Sequence, residues 1–195
     1  MAMKKIDYEY KPVSLINKGK VTNFDQYNLI NPLVQVPSLV IKKDGVEHIL
    51  TQSMAIIDFL EHLKPTPAIF PSDSIDRAYA ISIAEIINSS IQPFQNQAFL
   101  HAFQAPDIDM IEWAKNLISK RFIELEEILK KTSGKCCVKD TPCIADVFLI
   151  PQVYNAKRFG VDMTKFQIIS KINDYLEKCE DFASTAPENQ PDAIS

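Results

Sequence analysis

Residues 31–64 read NPLVQVPSLVIKKDGVEHILTQSMAIIDFLEHLK, and they contain the strongest local structural signals in the first part of the chain. Two β-rich runs, 38–43 and 46–51, are separated by Asp44-Gly45, a pair typical of a two-residue β-hairpin turn. Apolar residues then recur at the i, i+3, i+4 and i+7 spacing of one helix face, from Ile56 to Leu63. The stretch therefore predicts a hairpin followed by an amphipathic helix that ends near Lys64.

The chain changes character after this helix. The segment KPTPAIFPSD, residues 64–73, carries three prolines and is typical of a linker between domains. Beyond it, helical periodicity predicts four helices, at 75–91, 108–131, 143–159 and 166–180. In the second of these, a long apolar stripe consists of Ile111, Ala114, Ile118, Phe122, Leu125 and Leu129.

The start of the chain, residues 7–16, alternates well enough to predict a strand. The polar, proline-bearing end of the chain predicts a loose tail. We therefore expect a small α+β domain at 1–64, a linker at 65–73, an all-helical domain at 74–183 and a tail at 184–195.

Composition excludes several classes of function. The 195 residues are 46% apolar and carry a net charge of −4 with mixed signs, so neither nucleic acid nor a membrane surface is an expected partner. Neither a signal peptide nor a membrane span is evident, and we expect a cytoplasmic protein. Four glycines are too few, and too scattered, for a P-loop or a dinucleotide-binding loop.

The four cysteines, at 136, 137, 143 and 179, form no C-x-x-C pair and have no histidine at ligand spacing. We therefore expect reduced thiols and no metal site.

Val36-Pro37 comes directly before the first strand of the hairpin. A cis bond there would turn the Val36 backbone outward, where its N–H and C=O can pair with an extended peptide ligand. The alternative is an ordinary trans proline at the end of a loop. Sequence alone leaves both open.

Gln52 and Ser53 stand at the entry of the predicted helix. The first turn of a helix leaves N–H groups unpaired and carries a partial positive charge, which suits a carboxylate. Ser53 either caps its own helix or presents its hydroxyl and N–H to a ligand, with Gln52 beside it.

These pieces occur in one ordered run, NPLVQVPSL…TQSMAIIDFLEHLKPTPAIFP, which resembles the glutathione-binding half of a glutathione transferase. Three further segments, SIQPFQN (90–96), CIADVFLIPQVYNAKRFGVDM (143–163) and ENQPD (188–192), resemble the zeta class of that family. Zeta-class activity is the isomerisation of maleylacetoacetate to fumarylacetoacetate in phenylalanine and tyrosine breakdown. The implied fold is a thioredoxin-like N-terminal domain, a helical C-terminal domain and a homodimer.

The resemblance also implies a set of site residues. Val36, before a cis Pro37, would pair with the cysteinyl backbone of glutathione, and Gln52 and Ser53 would hold its γ-glutamyl carboxylate. Gln92 and Asn96 match positions that line the glutathione site. Arg158 matches an arginine associated with the small acidic electrophilic substrate, with a solvated surface arginine as the alternative.

The family pattern opens with a strand, a catalytic stretch of the form S-S-C-x-W-R and a helix, and MAMKKIDYEY aligns with the very end of that helix. We therefore expect a truncated thioredoxin-like domain, without its first strand and most of its first helix, and assign no catalytic residue. The favoured function is a glutathione-dependent isomerase with glutathione transferase activity. The alternative is a non-catalytic relative that acts as a binding or dimerisation module.

Overall fold

The structure is a computed structural model, and it describes residues 1–13, 24–102 and 109–193. The chain divides into two units, Met1–Pro67 and Ala68–Ser195. Within the described ranges, every helix is too short or too polar to cross a lipid bilayer. Candidate site residues lie in both units.

The first unit combines a small sheet with helices. Its elements are a 3₁₀ turn at Ala2–Lys4, α1 at Phe24–Ile30, β1 at Ser38–Lys43, β2 at Val46–Thr51 and α2 at Ser53–Leu63. The amphipathic helix predicted from the Ile56 to Leu63 periodicity is confirmed as α2, whose buried residues are Ile56 and Leu60.

The predicted hairpin is confirmed. Strands β1 and β2 are antiparallel, and their register runs from Ser38 opposite Thr51 to Lys43 opposite Val46. Both turn residues have positive φ, 53° for Asp44 and 77° for Gly45, as a type I′ turn requires. The hairpin places Val36-Pro37 before β1 and the start of α2 after β2.

The strand predicted at 7–16 is wrong over residues 7–13, which form no strand, and residues 14–16 lie outside the described residues. The reason is pairing: among the described residues the sheet consists of β1 and β2 alone, so residues 7–13 have no neighbouring strand. The start of the chain is held by a side chain instead. The buried Lys4 Nζ donates to the carbonyls of Lys64 (2.7 Å) and Pro67 (2.8 Å) and forms an ion pair with Glu61 (2.6 Å).

The second unit is helical. Its helices are α3 (Ser74–Ser90), α4 (Gln92–Gln95), α5 (Gln97–Ala102), α6 (Met110–Thr132), α7 (Ile144–Arg158), α8 (Gln167–Leu176) and α9 (Glu180–Ala183). The four predicted helices are confirmed as α3, α6, α7 and α8, although residue 108 lies outside the described residues. Sequence reasoning missed α4 and α5, which are short.

The core of the helical unit forms along the predicted stripe of α6. Five residues of the stripe are buried as expected: Ala114, Ile118, Phe122, Leu125 and Leu129. Phe122 packs edge-to-face on Phe166 with 5.4 Å between ring centroids. Ile111 departs from the prediction, because it lies in the first turn of α6 and is exposed.

Helix α7 begins around a buried carboxylate. Asp146 accepts the backbone N–H of Cys137 on Oδ1 and that of Cys143 on Oδ2, each at 2.8 Å. Burial raises the pKa of Asp146, and the two backbone N–H donors oppose that shift. This residue therefore ties the loop after α6 to the first turn of α7.

Candidate functional site

The first turn of α2 is open. The residue before the helix is Gln52, with φ 71° and ψ 120°, and its side chain makes no capping hydrogen bond. Ser53 is the first residue of the helix, so it does not take the capping position, and the capping alternative is wrong. No described side chain accepts a hydrogen bond from this turn. As far as the described residues are concerned, its N–H groups and positive dipole end therefore remain available to a carboxylate.

The Val36-Pro37 bond is cis, as the ligand-binding interpretation of the sequence requires. Val36 is exposed and lies two residues before β1. The same unit therefore contains both an exposed backbone segment before a cis-proline and an open helix N-terminus after the hairpin.

Two buried side chains stabilise the loop that carries Val36. Neither was assigned a role from the sequence. Buried Asn31 donates from Nδ2 to the Gln35 carbonyl (2.6 Å) and accepts the Leu33 N–H on Oδ1 (3.0 Å). Buried Tyr27, on α1, donates its hydroxyl to the same Gln35 carbonyl (2.7 Å) and lies 2.9 Å from the Ser38 Oγ. Asn31-Pro32 in the motif was the one signal that could have pointed to this support.

Gln92 and Asn96 bracket the short helix α4 in the helical unit. Gln92 is its first residue and is exposed. Asn96 accepts the Phe99 N–H on its side-chain oxygen (2.8 Å) and the Leu100 N–H on its backbone carbonyl (3.0 Å), so it caps α5. The Asn96 oxygen is therefore used by the fold, and its amide N–H₂ is the group left to contact a ligand.

Arg158 is the last residue of α7 and is exposed. Its Nη1 donates weakly to the Asn155 Oδ1 (3.4 Å), and its guanidinium carbon lies 6.0 Å from the centre of the Tyr154 ring. In the described part of the chain, Arg158 forms no ion pair. The guanidinium is thus free to take a carboxylate in the bidentate way that arginine favours.

The three buried cysteines are poor nucleophiles. Burial, followed by the negative charge of Asp146, raises the pKa of Cys136 to about 12, and the same causes raise the pKa of Cys137 and Cys143. Since the thiolate is the reactive form, these thiols stay protonated near neutral pH. Among the described residues, no group of histidine, cysteine and acidic side chains is arranged to hold a metal ion.

Residues 1–63 match the family model described as the glutathione S-transferase N-terminal domain. Maleylacetoacetate isomerase from Dictyostelium discoideum is 42% identical over 196 residues, which cover 99% of this chain and 88% of the relative.

The similar solved structures include those of two enzymes that align with almost the whole chain. Maleylacetoacetate isomerase from Anaeromyxobacter dehalogenans 2CP-1, solved with bound GSH, is 35% identical with a TM-score of 0.89, over 99% of this chain and 89% of that one. The same enzyme was solved with bound dicarboxyethyl glutathione and citrate, with a TM-score of 0.88. A bacterial maleylpyruvate isomerase, described as a zeta-class glutathione S-transferase, is 33% identical with a TM-score of 0.88, over 99% and 91% of the two chains. These likenesses confirm the expected fold class, a thioredoxin-like N-terminal part with a helical C-terminal part.

Proposed function

Because the chain belongs to the zeta-class glutathione transferases, the family of the maleylacetoacetate isomerases, we propose that it binds glutathione and isomerises maleylacetoacetate to fumarylacetoacetate, with glutathione transferase activity besides. The observation that carries the proposal is the open first turn of α2 in the same unit as the cis Val36-Pro37 bond. The bound GSH of the Anaeromyxobacter enzyme supports the choice of ligand.

The first unit offers two kinds of contact to glutathione. The N–H groups of the first turn of α2, with the Ser53 hydroxyl and the Gln52 amide, suit the γ-glutamyl carboxylate, since an anion is favoured at a helix N-terminus. The Val36 N–H and C=O suit the cysteinyl backbone, as they would an added strand. Asn31 and Tyr27 fix the loop, so these groups are oriented before the ligand arrives.

The helical unit offers contacts of a different kind. The exposed Gln92 side chain and the free amide N–H₂ of Asn96 are hydrogen-bond donors for glutathione. The guanidinium of Arg158 suits a carboxylate of the acidic substrate. In the described part of the chain no acidic side chain competes for it.

When bound, glutathione supplies a thiolate that adds to the conjugated double bond and leaves after rotation. In the family, donors in the S-S-C-x-W-R stretch stabilise that anion. We assign this role to no residue of this chain. The buried cysteines are unsuited to act as nucleophiles in place of the glutathione thiol, because their raised pKa values keep them protonated near neutral pH.

Two further proposals follow from family membership. We propose that the protein is a homodimer, with the outer face of α3 as the candidate contact surface, because Ile75 is 65% exposed and Tyr79, one turn later, 43%.

We also propose a cytoplasmic location, which suits four free cysteines.

One observation favours the alternative function, a non-catalytic binding or dimerisation module. The sheet of the described first unit has two strands, and a sheet this small depends on a packed helix, here α2 against β2, for its stability.

The test is to purify the 195-residue chain and measure maleylacetone isomerisation together with retention on immobilised glutathione. We expect both retention and turnover. Retention without turnover would favour the non-catalytic alternative, and loss of both would contradict the proposed function. A Gln52→Ala, Ser53→Ala double variant serves as the control, and we expect it to lose retention.

A further inference from the structure

Two buried glutamine side chains form a reciprocal pair in the helical unit. Gln95 donates from Nε2 to the Gln152 Oε1 (2.7 Å), and Gln152 donates from Nε2 to the Gln95 Oε1 (3.0 Å). Gln95 is 4% exposed and Gln152 is 3% exposed. The two residues are 57 positions apart in the sequence, so the pair joins two helices that the chain does not connect directly.

Stability alone does not account for this pair. A buried hydrogen-bonded pair is often replaceable by two apolar side chains of similar shape at little cost, whereas removal of one partner leaves a costly unsatisfied group. The amide pair differs from an apolar pair in one respect, because its two hydrogen bonds fix direction and register. The structural role of the pair is therefore to fix the positions of the two helices relative to each other.

The helices it joins are those that carry the candidate ligand contacts. Gln95 is the last residue of α4 and lies between Gln92 and Asn96 in the sequence. Gln152 lies on α7, six residues before Arg158 at the end of that helix.

The backbone of α7 is weakened beside Gln152. Pro151 lies inside the helix and has no N–H to donate to the carbonyl of Val147, one turn earlier. A side-chain contact at Gln152 is therefore well placed to set the direction of the segment that leads to Arg158.

We propose that the Gln95–Gln152 pair is a positioning device that sets the glutathione-contacting residues Gln92 and Asn96 relative to the substrate-contacting Arg158. The proposal rests on the proposed function, since it takes the ligand roles of these three residues from it. Gln95 and Gln152 act through their neighbours and are positioning residues.

The experiment uses the full chain with Gln95→Met, Gln152→Met and the double variant. We expect each single variant to lower the unfolding midpoint, because it leaves one buried amide without a partner. The double variant restores an apolar pair and should recover most of that loss. Glutathione and dicarboxyethyl glutathione are then titrated by calorimetry into each variant. The first ligand reports on Gln92 and Asn96, and the second adds carboxylates that Arg158 would bind.

The expected result is a separation of stability from binding. In the double variant we expect the Kd for glutathione to rise about fivefold, and the preference for dicarboxyethyl glutathione over glutathione to fall by a similar factor. Gln152→Asn, a milder change that keeps an amide, should give an intermediate rise. Thr132→Val removes a buried hydrogen bond to the Cys137 carbonyl elsewhere in the unit. It should lower stability and leave both Kd values unchanged.

Two results would overturn the inference, and they are distinguishable. If the wild-type chain binds both ligands and the folded variants keep the wild-type Kd values, the pair serves packing alone. If the wild-type chain binds neither ligand, the proposed function fails and the inference fails with it.

Discussion

Asn31 and Tyr27 determine the conformation of the loop before β1, although neither was assigned a role from the sequence. Both donate to the carbonyl of Gln35, the residue before Val36. Side-chain hydrogen bonds to a loop carbonyl depend on how the backbone folds back, and a sequence pattern does not contain that information. The Val36-Pro37 bond is a similar case, because the sequence is compatible with both the cis and the trans isomer, and the structure has the cis form.

Asn31→Ala should lower both stability and ligand affinity. It removes one donor to the Gln35 carbonyl and leaves the Leu33 N–H without its acceptor, so we expect a loss of about 2 kcal/mol in the free energy of unfolding. Tyr27→Phe removes one of two donors and is the milder control, at about 1 kcal/mol. Urea unfolding and glutathione titration measure the two effects. Wild-type values for Asn31→Ala would contradict the supporting role.

Asp146→Ala should be strongly destabilising. The change leaves the buried N–H groups of Cys137 and Cys143 without an acceptor, and we expect a loss of about 3 kcal/mol in the free energy of unfolding. Asp140, which accepts the exposed Lys135 N–H, provides a matched control. Asp140→Ala should cost about 0.5 kcal/mol. Equal losses for the two variants would show that burial at Asp146 is unimportant.

At the scale of elements, local signals were sufficient for most of the fold. The hairpin is fixed by two adjacent residues that accept positive φ, and the four long helices by their own apolar periodicity. The strand predicted at 7–16 is wrong over its described part. An alternating pattern indicates that a strand would have one apolar and one polar face, but it does not show which strand would pair with it. The Gln95–Gln152 pair was missed for the same reason, since long-range contacts have no local pattern.

The N-terminus of α3 should make part of the stability depend on acid pH. Asp73 caps this helix, and the backbone N–H groups of Asp76 and Ile75 hold the pKa of its carboxyl below the ordinary value. A carboxyl with a lowered folded pKa contributes stability that is present above its unfolded pKa and is lost as pH falls through the folded pKa.

Asp73→Asn isolates this effect, because asparagine also caps helices but does not titrate. Urea unfolding at a series of pH values measures the free energy of unfolding of both proteins. We expect the difference between wild type and variant to shrink as the pH falls through the range in which the Asp73 carboxyl takes up its proton. A difference that is independent of pH would contradict the assignment.

For the whole molecule, the two units contain different parts of the proposed chemistry. The first unit carries the open end of α2 and the cis Val36-Pro37 bond, and the second carries Gln92, Asn96 and Arg158. Sequence order and spacing were enough to identify the family over nearly the whole chain, as the 42% identity to the Dictyostelium isomerase confirms. That the N-terminus of α2 is open could be established only from the structure, because the sequence is compatible with Ser53 either capping the helix or binding a ligand.

We predict that the whole chain forms a homodimer. Ile75→Asp and Tyr79→Asp place charges on the outer face of α3, so we expect the double variant to elute as a monomer where the wild type elutes as a dimer. Light scattering coupled to size-exclusion chromatography measures both masses. Ile123→Asp, at a similarly exposed apolar residue on α6, is the control for a charge placed outside α3. A wild-type chain that is monomeric at high concentration would contradict the prediction.

Two ligands that differ in the γ-glutamyl group test whether the first turn of α2 holds a carboxylate. Calorimetric titration of the chain with glutathione and with cysteinylglycine measures what the γ-glutamyl group contributes to binding, and this group carries the carboxylate proposed to contact the first turn of α2. If that turn holds the carboxylate, glutathione should bind at least about tenfold more tightly than the dipeptide. Equal affinities, or no binding of glutathione, would contradict the account.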